Sequence, residues 1–369
     1  MRILCVIDNI GSGGAQRQLV NLAGGLKNLG NEVDFFYYND YSKFFLEELN
    51  RFKIRIIKFN TIGKRNKPFQ ILSFLIKHLS KEKYDVIIAF MFAPSALCSV
   101  ANFFSTNSSA KLIVSERSFY KDEKNWFKSL LFRATYFGAN RIVCNSFTQK
   151  DWLCKFFPFY KNKICVIYNG IIPREIKITE NNSKLTKTLL GVGRISREKN
   201  IETILYALIH FYENYGWLPK FKWAGSLNQS ADKVYLKKLN EIIEASPCLK
   251  NNWEWLGQRN DVEDLMKNTD ALVLASHYEG FANVVCESLN NAKPVFISDV
   301  CDHGRIIKHG ENGYLFEKNS SIQLSNLFFT FYECKQSNYI GLRKSAYETY
   351  LQFFTFDNMV NRYTQEIQK

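Results

Sequence analysis

The stretch that decides the fold opens the chain and reads Met1-Arg2-Ile3-Leu4-Cys5-Val6-Ile7-Asp8-Asn9-Ile10-Gly11-Ser12-Gly13-Gly14. The apolar run 3–7 has the length of a buried strand, and the glycines after it favour a tight turn. A secretory signal needs a longer apolar run, so we interpret this one as a strand. The stretch therefore predicts a strand that turns directly into a helix over 15–29.

Short apolar runs alternate with amphipathic stretches along the rest of the chain. They predict strands at 33–38, 54–59, 86–90, 111–114, 141–144 and 164–167, and again at 188–193, 221–224, 253–256, 271–274, 294–298 and 313–316. Helices are predicted between them, among others at 69–82, 201–215, 233–245 and 262–268. This alternation is typical of an α/β protein with two successive doubly wound parallel sheets.

The length of 369 residues fits two domains of about 100–200 residues each. We expect a Rossmann-like first domain at 1–173 and a polar linker at 174–187. A second Rossmann-like domain follows at 188–355. The remaining residues, 356–369, predict a C-terminal helix that packs back on the first domain.

The composition argues for an ordinary folded enzyme-sized protein, with 46% hydrophobic and 23% charged residues. The nine cysteines form no CxxC pair, which favours reduced thiols in a cytosolic protein over disulfides or zinc. The five histidines form no metal-binding pattern either. No stretch of about 18 uncharged apolar residues predicts a membrane span.

The net charge of +14 is unevenly distributed. Residues 1–175 carry 26 Lys and Arg against 13 Asp and Glu, whereas residues 176–369 carry 23 against 22. The first half is therefore strongly basic, as expected of a domain that meets nucleic acid, an anionic membrane or an acidic substrate.

The glycine-rich turn Gly11–Gly14 places flexible backbone at the start of a predicted helix, where an anion is favoured. Its spacing matches neither GxGxxG nor the phosphate loop GxxxxGK[ST]. The alternative is a tight turn without a ligand.

The second candidate is Gly191-Val192-Gly193-Arg194-Ile195-Ser196-Arg197-Glu198-Lys199-Asn200. The cations of Arg194 and Lys199 could neutralise a diphosphate and the charge that grows as it leaves. Such a loop follows a strand, which is where open α/β sheets bind ligands. The alternative is a solvated basic turn.

The third candidate is His277-Tyr278-Glu279-Gly280-Phe281-Ala282-Asn283-Val284-Val285-Cys286-Glu287. Glu279 lies in a predicted loop, and Glu287 lies one turn inside a helix that starts near Asn283. Two carboxylates at this spacing can bind hydroxyls at two places on a long ligand, while the amides of 282–284 could hold phosphate oxygens. The alternative is a pair of unrelated surface acids.

The fourth candidate is Ser115-Glu116-Arg117-Ser118, which follows a predicted strand of the first domain. Its position at a strand end suggests a substrate contact. A local ion pair or a helix cap is the alternative.

Taken in order, these motifs resemble glycosyltransferase family 4, which has the GT-B architecture of two Rossmann-like domains facing a cleft. The resemblance covers nearly the whole chain. Besides the glycine-rich turn, it includes Tyr168-Asn169-Gly170, Gly193-Arg194 with Lys199, Leu256-Gly257-Gln258-Arg259-Asn260-Asp261-Val262, the E-x7-E spacing from Glu279 to Glu287, and Asn312-Gly313-Tyr314-Leu315.

The resemblance implies catalytic roles for Glu279, Arg194 and Lys199. The two cations would hold the phosphates of a nucleotide-diphosphate sugar, the donor, and Glu279 would contact the transferred sugar. Glu287 would bind the ribose. It implies further donor contacts from Gly13, Gly14, Gln258, Arg259, Phe281, Ala282, Asn283 and Val284. It also implies a uridine nucleotide, retention of the anomeric configuration, and no cofactor or divalent metal.

Many members of the family carry a histidine after the fourth strand of the first domain, near the transferred sugar. This chain has Ala89-Phe90-Met91-Phe92-Ala93-Pro94-Ser95 there, without a histidine. We therefore expect Ser95 or backbone groups to take its place, or the first-domain contact to come from Glu116 and Arg117.

The resemblance assigns the acceptor to the basic first domain, which suggests a lipid-linked sugar diphosphate or a lipopolysaccharide precursor. Basic and aromatic residues are mixed at 64–69 and 120–137, as in helices that lie on membranes. We therefore expect a cytoplasmic protein, peripheral at the inner membrane face.

Two other functions are compatible with parts of the sequence. A nucleotide-sugar epimerase of GT-B type would share the architecture, but the E-x7-E spacing argues against it. A basic, non-catalytic nucleic-acid-binding protein would explain the charge, but no helix-turn-helix, OB-fold or RNA-recognition pattern is present.

Overall fold

The computed structural model describes residues 1–40, 42–59, 67–106, 109–117, 126–180, 183–228 and 231–369, with side chains described for all of these except 126–129. The chain forms two compact units. The first comprises Met1–Gly170 together with Phe356–Lys369, and the second comprises Ile171–Thr355.

The first unit is built on a parallel sheet to which the described residues contribute seven strands. They are β1 (Arg2–Ile7), β2 (Glu32–Tyr37), β3 (Arg55–Ile57), β4 (Val86–Phe90), β5 (Lys111–Glu116), β6 (Arg141–Cys144) and β7 (Ile164–Val166), in the order β3-β2-β1-β4-β5-β6-β7. The chain first adds strands on one side of β1 and then moves to the other side. The strand order therefore reverses between β1 and β4.

Helices cover both faces of this sheet. They are α1 (Gly14–Asn28), α2 (Leu46–Arg51), α3 (Lys67–Lys81), α4 (Phe92–Phe104), α5 (Trp126–Ala134) and α6 (Phe147–Phe156). Their apolar faces form two cores, one including Leu19 of α1 and the other including Leu75 of α3. Burial of these side chains is the main stabilising contribution to the unit.

The second unit repeats the plan with a six-stranded parallel sheet in the described residues. Its strands are β8 (Thr188–Val192), β9 (Lys220–Ala224), β10 (Trp253–Gly257), β11 (Ala271–Leu274), β12 (Val295–Ser298) and β13 (Gly313–Phe316), in the order β10-β9-β8-β11-β12-β13. Here the order reverses between β8 and β11.

Eight helices of the second unit lie within the described residues. They are α7 (Ile201–Tyr215), α8 (Lys233–Ala245), α9 (Pro247–Lys250), α10 (Val262–Lys267), α11 (Asn283–Asn290), α12 (His303–Ile306), α13 (Ser321–Tyr332) and α14 (Gln336–Phe353). Gly191 in β8 has to be a glycine, because a Cβ there would lie 2.3 Å from the buried Trp223 ring. The absence of a side chain at Gly191 in β8 therefore leaves the space that the Trp223 ring of β9 occupies.

The last helix, α15 (Phe356–Gln368), belongs to the first unit. Met359, Val360 and Tyr363 are buried in the same core as α1. A Cβ at Gly25 of α1 would lie 2.5 Å from Val360, so the glycine allows the two helices to approach closely.

The prediction of two Rossmann-like parallel-sheet units is confirmed. The thirteen predicted strands are present within the described residues, and β3 is the most shortened, at 55–57 instead of 54–59. Residues 174–187 carry no helix or strand where they are described, and they lie within the second unit. No helix in the described part of the chain is long and apolar enough to cross a bilayer.

Candidate functional site

Two loops of the second unit meet at the point where its strand order reverses. β8 and β11 are neighbours in the sheet, and both run in the same direction. The loop after β8 contains Lys199 and the loop after β11 contains Glu279. The carboxyl ends of strands at such a reversal form a natural ligand site in an open α/β sheet.

The loop after β8 is shaped by glycine and asparagine. Gly193 has φ 154°, and a Cβ on it would lie 3.2 Å from Lys199 Cε. Its carbonyl accepts a hydrogen bond of 3.1 Å from Trp223 Nε1. Asn200 then adopts φ 49°, a left-handed conformation that asparagine tolerates, and α7 begins. The Lys199 side chain therefore passes directly over Gly193.

Lys199 and Glu279 form an ion pair between the two loops. Lys199 Nζ donates to Glu279 Oε1 at 2.5 Å, and Ser276 Oγ donates to the same oxygen at 2.7 Å. The two charged side chains are only 15% and 11% exposed. Burial alone would raise the pKa of Glu279, but the Lys199 charge and the two hydrogen bonds hold it below its ordinary value. Glu279 is therefore ionised at neutral pH.

The loop after β11 leads into α11, whose first-turn amides have no side-chain cap. The N-cap residue Ala282 is extended, with φ −85°, and offers no side-chain oxygen. Uncapped amides at a helix start favour an anion such as a phosphate. Glu287 is half-buried on the second turn of α11. The predicted helix start at Asn283 is confirmed.

Two further contacts stabilise the backbone of the loop after β11. Cys301 Sγ donates to the Gly280 carbonyl at 3.1 Å, and the Phe281 ring packs 5.8 Å from that of Phe354. These contacts fix the backbone on which Glu279 and the start of α11 depend.

Three of the predicted donor contacts are exposed. Arg194 donates to Glu198 at 2.7 Å, and Arg259 forms a bidentate pair with Asp261 at 2.6 and 2.8 Å. Gln258 lies beside Arg259, after edge strand β10. Arg194 and Lys199 thus each pair with a different carboxylate.

The glycine-rich turn of the first unit lies where β1 meets α1, at the strand-order reversal of that sheet. Asn9 Oδ1 accepts a hydrogen bond of 2.8 Å from the Gly11 amide. Gly13 is the N-cap of α1, and a Cβ on it would lie 2.1 Å from Gln16 Oε1. Gly14 is exposed at the first position of the helix. The helix start is therefore open and has no side-chain cap.

Glu116, one of the residues expected on the acceptor side, is buried in the first unit. At the end of β5, Arg133 pairs with it at 2.8 Å and Tyr136 Oη donates to it at 2.6 Å. A carboxylate enclosed in this way holds α5 against the sheet. The contact matches the alternative interpretation of this motif, a local ion pair.

Arg117 and Ser95 are also turned inward. The Arg117 guanidinium donates to Asn169 Oδ1 and Tyr363 Oη and lies 3.9 Å from the centre of the Phe90 ring. Burial lowers the pKa of this arginine. Ser95 Oγ donates to the Ala89 carbonyl at 3.1 Å and is fully buried. All three acceptor candidates therefore make structural contacts.

Two residues near strand ends have unusual environments that the sequence does not indicate. Met91, directly after β4, has φ 75° and ψ 153°, a conformation normally reserved for glycine. His303 is buried near the loop after β11, where its Nδ1 lies 2.8 Å from the Ser298 carbonyl and burial lowers its pKa. Backbone strain and burial of this kind leave no pattern in a single sequence.

Among the residues that the structure describes, no group of three His, Cys, Asp or Glu side chains is arranged to hold a metal ion. The charges at the site are those of Lys199, Glu279 and their neighbours.

Two family models match consecutive parts of the chain. The model described as Glycosyltransferase Family 4 matches residues 12–175, and the model described as Glycosyl transferases group 1 matches residues 173–348. Together they cover residues 12–348, which include every strand of the two sheets except β1.

Individual proteins show the same similarity. The chain is 28% identical over 215 residues to an uncharacterised glycosyltransferase of Methanocaldococcus jannaschii, covering 54% of this chain and about half, 53%, of that protein. It is 25% identical over 268 residues to the Escherichia coli UDP-Gal:alpha-D-GlcNAc-diphosphoundecaprenol alpha-1,3-galactosyltransferase, covering 69% and 67%. The Anabaena protein HepE, solved in complex with UDP, has the same fold, with a TM-score of 0.82, 18% identity and full coverage of both chains.

Proposed function

Because this chain belongs to the glycosyltransferases, with a family 4 domain and a group 1 domain in the GT-B fold, we propose that it transfers a sugar from a UDP-sugar to a lipid-linked glycan. The observation that carries the proposal is the largely buried Lys199–Glu279 pair at the strand-order reversal of the second unit. The acceptor is suggested by the E. coli relative, whose name places its activity on a diphosphoundecaprenol-linked sugar.

The Lys199–Glu279 pair offers a cation for the diphosphate of a nucleotide-diphosphate sugar and a carboxylate for its sugar hydroxyls. The Lys199 ammonium is a compact cation suited to a phosphate oxygen, and in the absence of donor Glu279 balances its charge. When a diphosphate arrives, the ammonium can turn to it while Glu279 accepts hydrogen bonds from sugar hydroxyls. The start of α11 provides amides for the second phosphate, and Glu287 lies on the same helix for the ribose.

The proposed reaction exchanges one bond at the anomeric carbon. The bond from this carbon to the β-phosphate oxygen breaks, and a bond to an acceptor hydroxyl oxygen forms. The hydroxyl proton passes to the leaving diphosphate. Lys199 and the amides of α11 stabilise the negative charge that grows on that diphosphate, which is the usual source of the largest rate gain.

Retention of the anomeric configuration is part of the proposal. Glu279 Oε1 already accepts hydrogen bonds from Lys199 and Ser276, which makes this oxygen a poor nucleophile. Attack by the acceptor on the face that the diphosphate leaves then accounts for retention without a covalent intermediate. The anomeric proton coupling of the product, measured by NMR, reports the configuration directly. No cofactor or metal is needed for this step.

We also propose that the first unit brings the protein to a membrane surface, at the cytoplasmic face. The expected basic segment at 64–66 and residues 118–125 lie outside the described residues. Within 130–137, Arg133 and Tyr136 are buried, so they do not contribute to a solvent-exposed basic surface. Three neighbouring aromatic residues are instead exposed by half or more, namely Phe103, Phe104 and Phe137, and their rings pack edge to face.

This exposed aromatic cluster supports peripheral docking, because aromatic side chains partition into the interfacial region of a bilayer. The positive charge of the first half of the chain adds attraction to anionic lipids. The cluster is formed by the end of α4 and the turn before β6.

A panel of nucleotide sugars tests the donor assignment. Purified protein would be incubated with UDP-, GDP- and ADP-linked hexoses and N-acetylhexosamines, with release of the free nucleotide as the readout. We expect hydrolysis of at least one UDP-sugar and none of the ADP-sugars. Release from GDP- or ADP-sugars alone would overturn the uridine assignment, and release from none would overturn the donor site.

A further inference from the structure

A pocket in the second unit lies between the end of α7 and the segment that joins α8 to β10. Its volume is about 710 Å³, and pockets of about 300–1,000 Å³ accommodate small-molecule ligands. Helix α7 contributes Ile209, Tyr212 and Glu213 to one wall. The other wall is formed by residues 245–248, 251 and 252.

The pocket is separate from the donor site. Lys199 precedes α7, whereas the pocket adjoins the last two turns of that helix. A helix rises about 1.5 Å per residue, so Tyr212 lies about 16 Å along α7 from its first residue, Ile201. A ligand in the pocket therefore does not occupy the Lys199–Glu279 site.

The first wall is the outer face of α7. Leu208 and Phe211 point into the core of the unit and are fully buried. Ile209, Tyr212 and Glu213 are spaced three and four residues apart, which places them together on another face of the helix. Tyr212 is 45% exposed, so its ring offers an open aromatic surface to the pocket.

The second wall is held in a fixed conformation. Pro247 begins the short helix α9, and Leu249 anchors this helix in the core with no exposed surface. Asn252 Nδ2 donates to the Cys248 carbonyl at 2.8 Å, which closes the turn before β10. A wall that is already ordered loses little conformational entropy when a ligand binds.

Three polar side chains in the walls are available to a ligand. Within the part of the chain that the structure describes, Tyr212 Oη, Ser246 Oγ and the Asn251 amide make no hydrogen bond to protein. Tyr212 and Asn251 are exposed and Ser246 is half-buried, so a ligand in the pocket can reach these groups. They provide both donors and acceptors beside the tyrosine ring.

The charge of the pocket favours an uncharged ligand. Among the described residues that line it there is no lysine or arginine, and the only carboxylate is that of Glu213. This carboxylate lies 3.4 Å from His210 Nδ1, and its side chain is 62% exposed. A single carboxylate repels an anion, whereas hydroxyl groups can donate to it.

We propose that this pocket is a second, non-catalytic site that binds the neutral part of a glycan. The Tyr212 ring packs against the C–H face of a sugar, since an aromatic side chain offers a large apolar surface together with a polar hydroxyl. Ser246 and Asn251 form hydrogen bonds with the sugar hydroxyls. The choice of a glycan as the ligand rests on the proposed transfer reaction, whose acceptor is a glycan.

Saturation-transfer difference NMR tests the site in the full-length chain, with saturating UDP present to occupy the donor site. The probes are the neutral disaccharides lactose, maltose, cellobiose and N,N′-diacetylchitobiose. We expect at least one to bind, and Tyr212→Ala to weaken that binding by about tenfold or more, because the ring is removed. Tyr212→Phe keeps the ring and should weaken binding only about two- to fivefold.

Tyr206 provides the matched control. It lies on the same helix and is 43% exposed, but it does not line the pocket. Tyr206→Ala should bind the disaccharide within about twofold of the wild type. The proposal is overturned if no disaccharide binds, if UDP abolishes the binding, if Tyr212→Ala binds as tightly as the wild type, or if the two alanine variants lose binding equally.

Hydrolysis of the UDP-sugar separates this proposal from the proposed function. Tyr212→Ala should hydrolyse the donor at the wild-type rate, because the pocket lies away from Lys199 and Glu279. Hydrolysis without disaccharide binding would overturn the second site alone. Disaccharide binding without hydrolysis would overturn the proposed transfer alone.

Folding of the variants is checked by circular dichroism before the titrations. Both tyrosines are exposed, so their replacement is not expected to impair folding. Asn251→Ala, at a second exposed position in the wall, should also weaken binding and gives the same comparison if Tyr212→Ala does not fold.

Discussion

Lys199 Nζ lies 2.5 Å from Glu279 Oε1, although the two residues are 80 positions apart in the chain. The contact joins the loops after β8 and β11, the two strands between which the strand order reverses. The ion pair therefore holds both side chains in defined positions between the two loops. The following predictions depend on this arrangement and on the contacts around it.

Removing either member of the pair should abolish transfer. We expect Lys199→Ala and Glu279→Ala each to lower kcat/KM by roughly 100-fold or more, because each removes a charge that faces the reacting groups. The double variant should lose little beyond the worse single variant, since the two side chains act as a unit. Steady-state kinetics with the best UDP-sugar measure this. Full activity in both single variants would show that the site is elsewhere.

The same pair makes stability depend on pH. The pKa of Glu279 is held below its ordinary value of about 4.3, so its contribution is present above that value and is lost as the pH falls through the folded-state pKa. Between pH 7 and pH 3 the wild type should lose more free energy of unfolding than Glu279→Gln. Urea unfolding at several pH values measures the difference. Parallel curves for the two proteins would contradict it.

The buried pair of Glu116 and Arg133 should matter for folding and not for acceptor binding. Arg133→Met leaves the Glu116 carboxylate buried without its cation, which costs about 3–5 kcal/mol of unfolding free energy. Tyr136→Phe removes one hydrogen bond and should cost about 1 kcal/mol. Lys237→Met, on the surface, is the control. A raised acceptor KM with unchanged stability would restore Glu116 as an acceptor contact.

Membrane docking should depend on the exposed aromatic cluster. The triple variant Phe103→Ser, Phe104→Ser and Phe137→Ser should bind anionic vesicles at least tenfold more weakly, because each exposed ring can contribute about 1 kcal/mol or more by burial. Ile322→Ser, an exposed apolar position in the second unit, should bind normally. Equal binding by the triple variant, or no binding by the wild type at low salt, would refute the docking proposal.

The sequence was sufficient to predict the fold and the positions of the loops after β8 and β11. Strand 271–274 is continuously apolar, strand 188–192 is largely so, and polar loops with glycine follow both. Their alternation with helices could therefore be predicted. The pairing of Lys199 with Glu279 could not be predicted from the sequence, because it depends on β8 and β11 being neighbours in the folded sheet.

The burial of Glu116 and Arg117 could not be predicted from the sequence. Glu116 and Arg117 follow a strand just as Glu279 does, yet they face Arg133, Tyr136 and Tyr363 inside the first unit.

The most direct test of the central claim is calorimetric titration of UDP into wild-type, Lys199→Ala and Lys238→Ala proteins. Lys238 forms an exposed pair with Glu202 in the same unit, at 2.6 Å, and serves as the matched control. The account predicts that Lys199→Ala weakens UDP binding by roughly tenfold or more while Lys238→Ala stays close to the wild type. Equal UDP affinity in wild-type and Lys199→Ala proteins would contradict it.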